Sequence, residues 1–543
     1  MRPISIPLKL SDIATNLQNG TYVIPDFQRD FVWDISQSAS LLDSWIKGYP
    51  LGSFILWTTD EILCPIKQIG DTVIYYKKDE TVKTTYILDG QQRITSIFAA
   101  IKGLTIKKKS YADIVVNLDV DLEDYEADIV TVRTEDTNFA NISFSELYEG
   151  DLYNIITNYD RKYHKKIDSI RKRLNELDFP SIKIDNANID VATDIFTRLN
   201  TGGKKLTPFE IITAKTYSPD EFNLVEKAKN CRDNLNVAYK NAVSDEDILK
   251  MVALCVRGAT TKKEQLRLTR SAMLQNFDLV VEALNSAIAF CINSLKIPVG
   301  NMLAYAPPLY LYVYFFYKYN KTHSVKAPTK QQEDYLIDYY WRCVMTGRFA
   351  RNTDSKTASD VKNVMDKILI GDTPEQVGVS MTVDSFIANG SFAQKNAYIK
   401  GLIGFLMSLS PKSLARNSLV SFDQNWISKS DKNNYHHFFP QKMVGQTWTN
   451  EPIDNICNII LQDASTNQVD IGNRRPSDYI SEFLKTNNQL KNTLEGHLIY
   501  DIKTYGIMKD DVNMFIRNRA AAFINEIKGR LVVTKQDLID SKV

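Results

Sequence analysis

The chain has 543 residues, which is too many for one ordinary hydrophobic core, so two to four domains are expected. An apolar content of 44% and a charged content of 24% are those of a globular protein, and a formal net charge of +1 excludes a globally basic nucleic-acid binder. Any site for a polyanion must therefore be a local patch of the surface.

The cysteines and the most apolar segment exclude two further classes. Six cysteines lie far apart without a CxxC pair, which argues against a zinc ribbon and against a disulfide scaffold. The N-terminal "MRPISIPLKL" has no secretion-signal pattern. Residues 302–317 are apolar but short, rich in tyrosine and interrupted by Pro307-Pro308, which favours a buried helix over a membrane span. We therefore expect a soluble cytoplasmic protein with no membrane partner.

Residues 1–220 carry a mixed α/β pattern. Runs rich in β-branched and aromatic residues predict strands at 54–57, 72–76, 85–88 and 113–120. Helical apolar spacing that ends in a Lys-Gly pair predicts helices over 38–48 and 94–103.

The pattern changes near residue 220 and becomes almost wholly helical up to about residue 420. Apolar periodicity predicts helices over 245–258, 277–295 and 331–349. The last 120 or so residues mix short apolar runs with turn signals and end in helices. The change of pattern predicts a separate helical region after the α/β part.

Two charge runs stand out within the α/β part. Residues 161–173 contain seven lysines and arginines against one acid, whereas residues 119–128 are acidic. A solvated helix or loop face is the favoured interpretation of each run. Contact of the basic run with a DNA phosphate backbone stays open.

Three polar clusters follow apolar runs in residues 1–220. They are Gln28-Arg29 within "IPDFQRDFVW", Asp89-Gly90-Gln91-Gln92-Arg93 within "YILDGQQRITS", and Arg198 with Asn200 within "FTRLNTGGKKLTPFE". No G-x-x-x-x-G-K-[ST] motif occurs, so a P-loop nucleotide site is excluded at the level of motifs.

The second cluster has the composition of a phosphate site. Asp89 suits the N-cap of the predicted helix, and Gly90 allows a tight turn and a close approach of backbone to a ligand. Amides at a helix N-terminus favour an anion, and Arg93 can add a forked contact to phosphate. The structural alternative is a capped helix in which Arg93 only pairs with Asp89.

A pair of histidines marks a second candidate site near the C-terminus. His436 and His437 are adjacent in "NNYHHFFPQK", and on an extended segment they would point to opposite faces. Asn458 and Asn467 follow, which completes the inventory of a ββα-metal nuclease: a base for water, metal ligands, and an asparagine that fixes the hairpin. The alternative is two ordinary histidines before Pro440. A PD-(D/E)xK nuclease is rejected because its candidate tripeptides lie at opposite ends of the chain.

The order of these motifs resembles a known family. "IPDFQRDFVW", "YPLGSFILW", "YILDGQQRITS" and "FTRLNTGGKKLTPFE" are similar to the N-terminal domain of GmrSD-type modification-dependent restriction endonucleases, over roughly residues 5–220. The resemblance implies a ParB-like fold that binds and hydrolyses ATP or GTP. It makes Asp89 to Arg93 the phosphate-binding and hydrolytic motif, with Gln28, Arg29, Arg198 and Asn200 completing the pocket.

The C-terminal motifs resemble the HNH domain of the same family. The resemblance assigns His437 as the general base, His436 and Asn467 as metal ligands, and Asn458 as the middle asparagine. An asparagine in the last ligand position suits Mg²⁺ or Mn²⁺. Arg474 and Arg475 are candidates for DNA phosphate contacts, with a surface salt bridge as the alternative.

Together these observations predict an α+β multidomain protein. The expected parts are a ParB-like α/β domain over 1–220, a helical coupling region over 221–400, and a ββα-metal (HNH) nuclease embedded in helices over 401–543. The expected partners are double-stranded, modified DNA and a nucleoside triphosphate, and a homo-oligomer is left open. Two alternatives remain: a nucleotide-gated DNA-binding or modification-sensing protein with a weak or degenerate nuclease, and a nuclease whose N-terminal domain reads a DNA modification without nucleotide turnover.

Overall fold

A computed structural model describes most of the chain. The described residues are 3–25, 31–60, 68–70, 72–73, 83–176, 178–185, 187, 191–192, 195, 207–218, 221–323, 327–393, 396–422, 435–441, 453–463, 466–532 and 537, with backbone only at 68, 73 and 467–469. They form two compact units, residues 1–225 and residues 226–543. The division of the second unit into a coupling region and a nuclease domain stays a prediction.

A mixed sheet organises the first unit. Its described strands are, in spatial order, Ile4–Leu8, Phe179–Asp185, Phe54–Thr59, Thr84–Asp89 and Tyr22–Val23. Phe54–Thr59 pairs antiparallel with Thr84–Asp89 and parallel with Phe179–Asp185, so it lies at the centre of the sheet. All six residues of Phe54–Thr59 are buried, as a strand covered on both faces requires.

Smaller strands and the helices complete this unit. Ile114–Asn117 pairs with Val130–Val132 and Asn141–Ser143, and two short hairpins join Gln68–Ile69 to Thr72–Val73 and Thr105–Ile106 to Lys109–Ser110. The described helices are Leu10–Gln18, Ile35–Ile46, Gln91–Lys102, Phe144–Glu149, Leu152–Asn158, Arg161–Glu176 and Pro208–Thr216, with a 3₁₀ turn at Tyr111–Asp113.

Helix Gln91–Lys102 follows strand Thr84–Asp89 and packs into the core of this unit. Ile94, Ile97 and Phe98 are at most 1% exposed and belong to one apolar cluster of this unit. The helix ends at Gly103, whose left-handed backbone (φ +61°) is the usual helix stop. The strand-to-helix junction at residues 89–91 is therefore anchored on both sides by buried apolar packing.

The second unit is mainly helical. Its described helices are Leu224–Asn234, which crosses the unit boundary, Asp245–Arg257, Lys262–Leu266, Arg270–Asn293, Pro307–Thr322, Lys330–Thr346, Thr353–Asp360, Asp366–Leu369, Val383–Ala388, Ala397–Ser408, Pro476–Thr486, Leu490–Glu495 and Val512–Lys528. Shorter elements are the 3₁₀ turns Lys240–Ala242, Gly300–Met302, Ile456–Asn458 and Ile507–Lys509 and the π-helical turns Val361–Met365 and Thr466–Ile471. A two-stranded antiparallel sheet joins Tyr435–His437 to Ile459–Leu461.

The predicted helices are confirmed, with shifted ends. The helix predicted over 38–48 begins at Ile35, because Asp34 accepts a hydrogen bond from the Gln37 N–H and caps it. The helix predicted over 277–295 begins at Arg270, where Thr269 is the cap. Polar caps lie outside an apolar repeat, which explains why the repeat alone missed these first turns.

The predicted strands differ more in length. The strand predicted at 113–120 is shorter, Ile114–Asn117. Of the strand predicted at 72–76, Thr72–Val73 is present and residues 74–76 lie outside the described residues. The α+β multidomain class is confirmed, while the ParB-like and HNH folds stay predictions.

The tyrosine-rich segment forms the buried helix Pro307–Thr322. Its first turn begins at Pro307-Pro308, where a missing backbone N–H costs nothing. In the described part of the chain, no helix has both the length and the apolar character that a membrane crossing needs.

Candidate functional site

The first candidate site is the junction between strand Thr84–Asp89 and helix Gln91–Lys102. The N-cap of the helix is Gly90, with a left-handed backbone (φ +96°), and no side chain of the described residues caps the helix. The expectation that Asp89 would be the N-cap is therefore wrong. Asp89 is still part of the strand, opposite Ile55, and its carboxylate binds the Arg93 guanidinium at 3.0 Å instead of the helix amides.

Arg93 connects the end of strand Thr84–Asp89 to the residues just before strand Phe54–Thr59. Its Nη1 donates to the Leu51 carbonyl at 2.7 Å, and its Nη2 donates to the Ser53 carbonyl at 3.0 Å as well as to Asp89. The guanidinium carbon lies 5.0 Å from the centre of the Phe54 ring. The pairing with Asp89 that the sequence left open is thus present, together with two carbonyl contacts that local sequence did not indicate.

Glycine is required at two positions around this guanidinium. A Cβ on Gly52 (φ +76°) would lie 2.6 Å from Arg93 Nη1. A Cβ on Gly90 would lie 2.3 Å from a ring carbon of Phe54. Both glycines therefore allow a close approach of backbone to side chain as well as a backbone conformation that other residues adopt with strain.

The two glutamines have different environments. Gln92 accepts hydrogen bonds through Oε1 from the backbone N–H groups of Val32 (2.9 Å) and Trp33 (3.3 Å), which ties the segment after the first polar cluster to the helix. Gln91 is 7% exposed, and among the described residues none hydrogen-bonds its amide. The backbone N–H groups of Gln91 and Arg93 likewise have no acceptor in the described part of the chain.

The other predicted members of this pocket cannot be placed beside the junction. Gln28, Arg29, Arg198 and Asn200 all lie outside the described residues. Their role in completing the pocket stays a prediction.

The basic run forms helix Arg161–Glu176, and several of its cations have structural partners. Lys166 donates to the carbonyls of Asn117 and Val120, Arg171 donates to that of Gly150, and Arg173 donates to that of Ile46 and binds Glu123. Burial lowers the pKa of Lys166 below its ordinary value. The run therefore serves packing of its own unit, and DNA contact by its exposed residues stays untested.

The second candidate site is the hairpin of Tyr435–His437 and Ile459–Leu461. His436 pairs with Ile460 and His437 pairs with Ile459, so the two histidine side chains point to opposite faces of the ribbon. His436 is 5% exposed, whereas the His437 side chain is 18% exposed. The adjacent histidines thus have different environments, as the sequence predicted.

Asn458 closes the connection of this hairpin. It is fully buried, accepts from the Phe439 N–H at 2.9 Å through Oδ1, and donates through Nδ2 to the carbonyls of Phe439 (3.0 Å) and Ile453 (2.9 Å). Its backbone carbonyl accepts from the Phe438 N–H at 2.8 Å. One side chain therefore satisfies three backbone groups next to His437, and the role of Asn458 as the middle asparagine of an HNH motif stays a prediction.

Side chains from two helices donate hydrogen bonds to the connection between the two strands. The Tyr479 hydroxyl, on helix Pro476–Thr486, donates to the Phe438 carbonyl at 2.7 Å. Arg519, on helix Val512–Lys528, is fully buried and donates to the Cys457 carbonyl at 2.8 Å. Burial lowers the pKa of Arg519 to about 10. The chain order is strand, strand, helix, with buried donors fixing the turn between the strands.

His437 has a carboxylate partner that sequence reasoning missed. The Nε2 atom of His437 lies 3.1 Å from Oδ1 of Asp454, whose side chain is 55% exposed. Burial lowers the pKa of His437 below its ordinary value, and Asp454 opposes part of that effect. The sequence signal for this partner was an acidic residue in the connection that Asn458 closes. Motif spacing alone does not select that position, because Asp454 is not one of the motif residues.

The described residues do not make a complete metal site. Among them, no group of three His, Cys, Asp or Glu side chains is placed to hold an ion. Asn467 lies in the π-helical turn Thr466–Ile471, but its side chain is outside the described residues. The metal role of His436 and Asn467 therefore stays a prediction.

The two arginines after this turn also differ. Arg474 binds Glu482 and donates to the Asp470 carbonyl at 3.1 Å, so the salt-bridge alternative is present for this residue. Arg475 is exposed at the start of helix Pro476–Thr486. DNA contact by either residue stays untested.

Comparison with known proteins bears on the first unit. Residues 10–217 match the model of the N-terminal domain of GmrSD restriction endonucleases. This match supports the GmrSD restriction endonuclease family, and it includes the junction at residues 89–93 but not the histidine hairpin. The chain is also similar over its whole length to the uncharacterized protein MJ0686 of Methanocaldococcus jannaschii, with 23% identity over 609 aligned positions that cover 98% of each chain.

Proposed function

We propose that this protein is a DNA endonuclease of phage defence that cuts or nicks modified foreign DNA. In this proposal a GmrSD-type N-terminal domain binds and hydrolyses ATP or GTP, and an HNH-type hairpin cleaves DNA. The observation that carries the nuclease part is the position of His437, which lies beside a connection that the buried Asn458 closes with three hydrogen bonds.

The proposed reaction is hydrolysis of a phosphodiester. His437 accepts a proton from water, the water oxygen forms a bond to phosphorus, and the bond from phosphorus to the leaving oxygen breaks. The divalent ion that the family resemblance implies, Mg²⁺ or Mn²⁺, would supply charge stabilisation, and His436 and Asn467 are its predicted ligands. Burial of His437 keeps its imidazole neutral near pH 7, as a general base must be.

In the first unit, the proposed nucleotide site is the N-terminal end of helix Gln91–Lys102. The backbone N–H groups of Gln91 and Arg93 lie where a helix favours an anion, and neither they nor the Gln91 side-chain amide has a hydrogen-bond partner among the described residues. A phosphate bound there would accept hydrogen bonds from donors that have no acceptor in the described part of the chain.

Plasmid nicking tests the nuclease part. The protein is mixed with modified or unmodified plasmid, with Mg²⁺ or Mn²⁺ and with each nucleotide, and nicking and phosphate release are scored together. We expect ion-dependent nicking that His437→Ala abolishes and that the control variant His323→Ala retains, since His323 lies at the end of a different helix. Metal-dependent nicking that survives in His437→Ala would contradict the assignment.

Nucleotide turnover tests the first site separately. Gln91→Ala should lower phosphate release by about tenfold or more, and it breaks no hydrogen bond in the described part of the unit. Phosphate release that is unchanged in Gln91→Ala would leave the helix end without the proposed role.

A second candidate function is a nucleotide-gated DNA-binding or modification-sensing protein with a degenerate nuclease. The feature that favours it is the asparagine at position 467, which stands where the motif otherwise carries a histidine as its last metal ligand. Binding of modified DNA without any ion-dependent nicking would support this candidate. The remaining alternative, a modification reader that leaves nucleotide intact, predicts nicking without phosphate release.

A further inference from the structure

The pair of His437 and Asp454 is held by a third segment of the chain. The Phe392 N–H donates to the Asp454 carbonyl at 3.0 Å, and the Ile456 N–H donates to the Gly390 carbonyl at 2.8 Å. Ser391 and Asn455 form an isolated antiparallel bridge between these two contacts. Residues 390–392 therefore hold the backbone from Asp454 to Ile456, although the Asp454 side chain is largely exposed.

The same segment fits closely around the residue that follows Asp454. Asn455 donates through Nδ2 to the Ile387 carbonyl at 2.8 Å, and its Oδ1 accepts from the Cys457 N–H at 3.0 Å. A Cβ on Gly390 would lie 2.6 Å from Asn455 Oδ1. The position of the carboxylate thus results from packing and not from its attraction to His437 alone.

The same segment also contacts the His437 ring. The Phe392 ring meets the His437 ring at 82° with 6.2 Å between centroids. With Nε2 engaged by Asp454, Nδ1 is the ring nitrogen that remains for a reacting molecule.

We propose that Asp454 is a positioning residue that holds the His437 tautomer with its proton on Nε2, and so makes Nδ1 the atom that accepts a proton from water. The hydrogen bond at one imidazole nitrogen determines which nitrogen carries the proton. An ionised carboxylate can only accept a hydrogen bond, so the nitrogen that it contacts must carry the proton. The carboxylate also stabilises the imidazolium that forms when the water proton arrives. This inference rests on the proposed nuclease function.

The test uses Asp454→Asn and a matched control. The amide of an asparagine can donate to Nε2, which favours the other tautomer with the proton on Nδ1. We expect kcat for plasmid nicking to fall about 10²-fold or more while KM changes by less than about twofold. Asp384→Asn removes another exposed acid, one that pairs with Arg517 on the surface, and should leave kcat unchanged.

A spectroscopic readout separates this inference from the proposed function. In ¹⁵N-histidine-labelled protein with five histidines, the His437 signals are those that disappear in His437→Ala. We expect the Nε2–H tautomer in the unaltered chain and a shift toward Nδ1–H in Asp454→Asn. An unaltered chain that shows this tautomer but never nicks DNA contradicts the proposed function alone.

Two results would overturn the role of Asp454 itself. The first is an unchanged His437 tautomer in Asp454→Asn together with kcat at the level of the control. The second is an unchanged tautomer together with a higher Mg²⁺ concentration for half-maximal nicking, which would make Asp454 a metal ligand instead.

Discussion

Replacement of Asn458 by alanine is the sharpest test of the hairpin. The side chain makes three hydrogen bonds of 2.9–3.0 Å, and all of them end on backbone groups of Phe439 and Ile453. Asn458 is fully buried, with 0% of its surface accessible to solvent. Alanine would therefore remove the hydrogen bonds that Asn458 supplies to one buried N–H and two buried carbonyl groups.

The expected cost follows from these three groups. A buried backbone group that loses its partner costs about 1–3 kcal/mol, and partial relaxation of the surrounding residues offsets some of that loss. We expect Asn458→Ala to lower the free energy of unfolding of the second unit by about 3–5 kcal/mol. That is a large part of the roughly 5–15 kcal/mol that stabilises a typical domain.

The control is another buried asparagine of the same unit. Asn487 is 6% exposed, donates to the Leu414 carbonyl at 2.8 Å and accepts from the Gln489 N–H at 2.9 Å. It follows the C-terminal end of helix Pro476–Thr486, whereas Tyr479 near the start of that helix contacts the hairpin. Asn487→Ala should therefore destabilise the unit to a similar degree without displacing His437.

Three measurements decide the outcome. Urea unfolding gives the stability of each variant, amide hydrogen exchange reports the Phe439 N–H, and plasmid nicking is measured where both variants remain folded. We expect faster Phe439 exchange and loss of nicking in Asn458→Ala only. A stability loss below about 1 kcal/mol, or nicking equal to that of Asn487→Ala, would refute the reasoning.

Two further changes test other parts of the structure. Gly90→Ala should destabilise the first unit by about 2 kcal/mol or more, because its Cβ would lie 2.3 Å from the Phe54 ring. The control is Gly48→Ala: Gly48 also has a positive φ (+76°), but its Cβ would have nothing within 4 Å. Thermal unfolding should show a cost of about 1 kcal/mol for this control. His497 tests acid sensitivity: burial lowers its pKa to about 4 from an ordinary value of 6.5, so the unfolded chain binds its proton first as the pH falls. The stability that neutral His497 contributes is complete above about pH 6.5 and lost by about pH 4. Between these pH values, the free energy of unfolding measured with urea should fall by about 3 kcal/mol less in His497→Gln than in the unaltered chain.

Local pattern predicted the elements of the fold, and partners distant in sequence determined the details of the sites. Apolar periodicity was sufficient for helix Asp245–Arg257, whose capping residue Ser244 and final Gly258 are adjacent to the repeat. The pairing of Asp89 with Arg93 was also foreseeable, since the two residues have opposite charges and lie only four positions apart in the sequence. These are contacts that a short stretch of sequence contains completely.

The contacts that sequence did not predict join residues far apart in the chain. The Arg93 guanidinium binds the carbonyls of residues 51 and 53, and a carbonyl leaves no trace in the identity of its residue. The pair of His437 and Asp454 likewise depends on a distant segment, because backbone hydrogen bonds with residues 390–392 fix the chain at Asp454. Backbone acceptors and strand register are properties of the folded chain, so residue spacing alone could not predict these contacts.

The contacts of Arg93 bear on how the first site would hold a phosphate. A guanidinium has five N–H donors, and three of the hydrogen bonds of Arg93 already end on two carbonyls and the Asp89 carboxylate. Its side chain is 17% exposed, so few of its donors face solvent. The backbone amides of Gln91 and Arg93 have no such partners in the described part of the chain. A phosphate at this helix end would therefore be bound mainly by backbone N–H groups, while the Arg93 side chain holds the strand ends and Gly90 in the conformation that presents them.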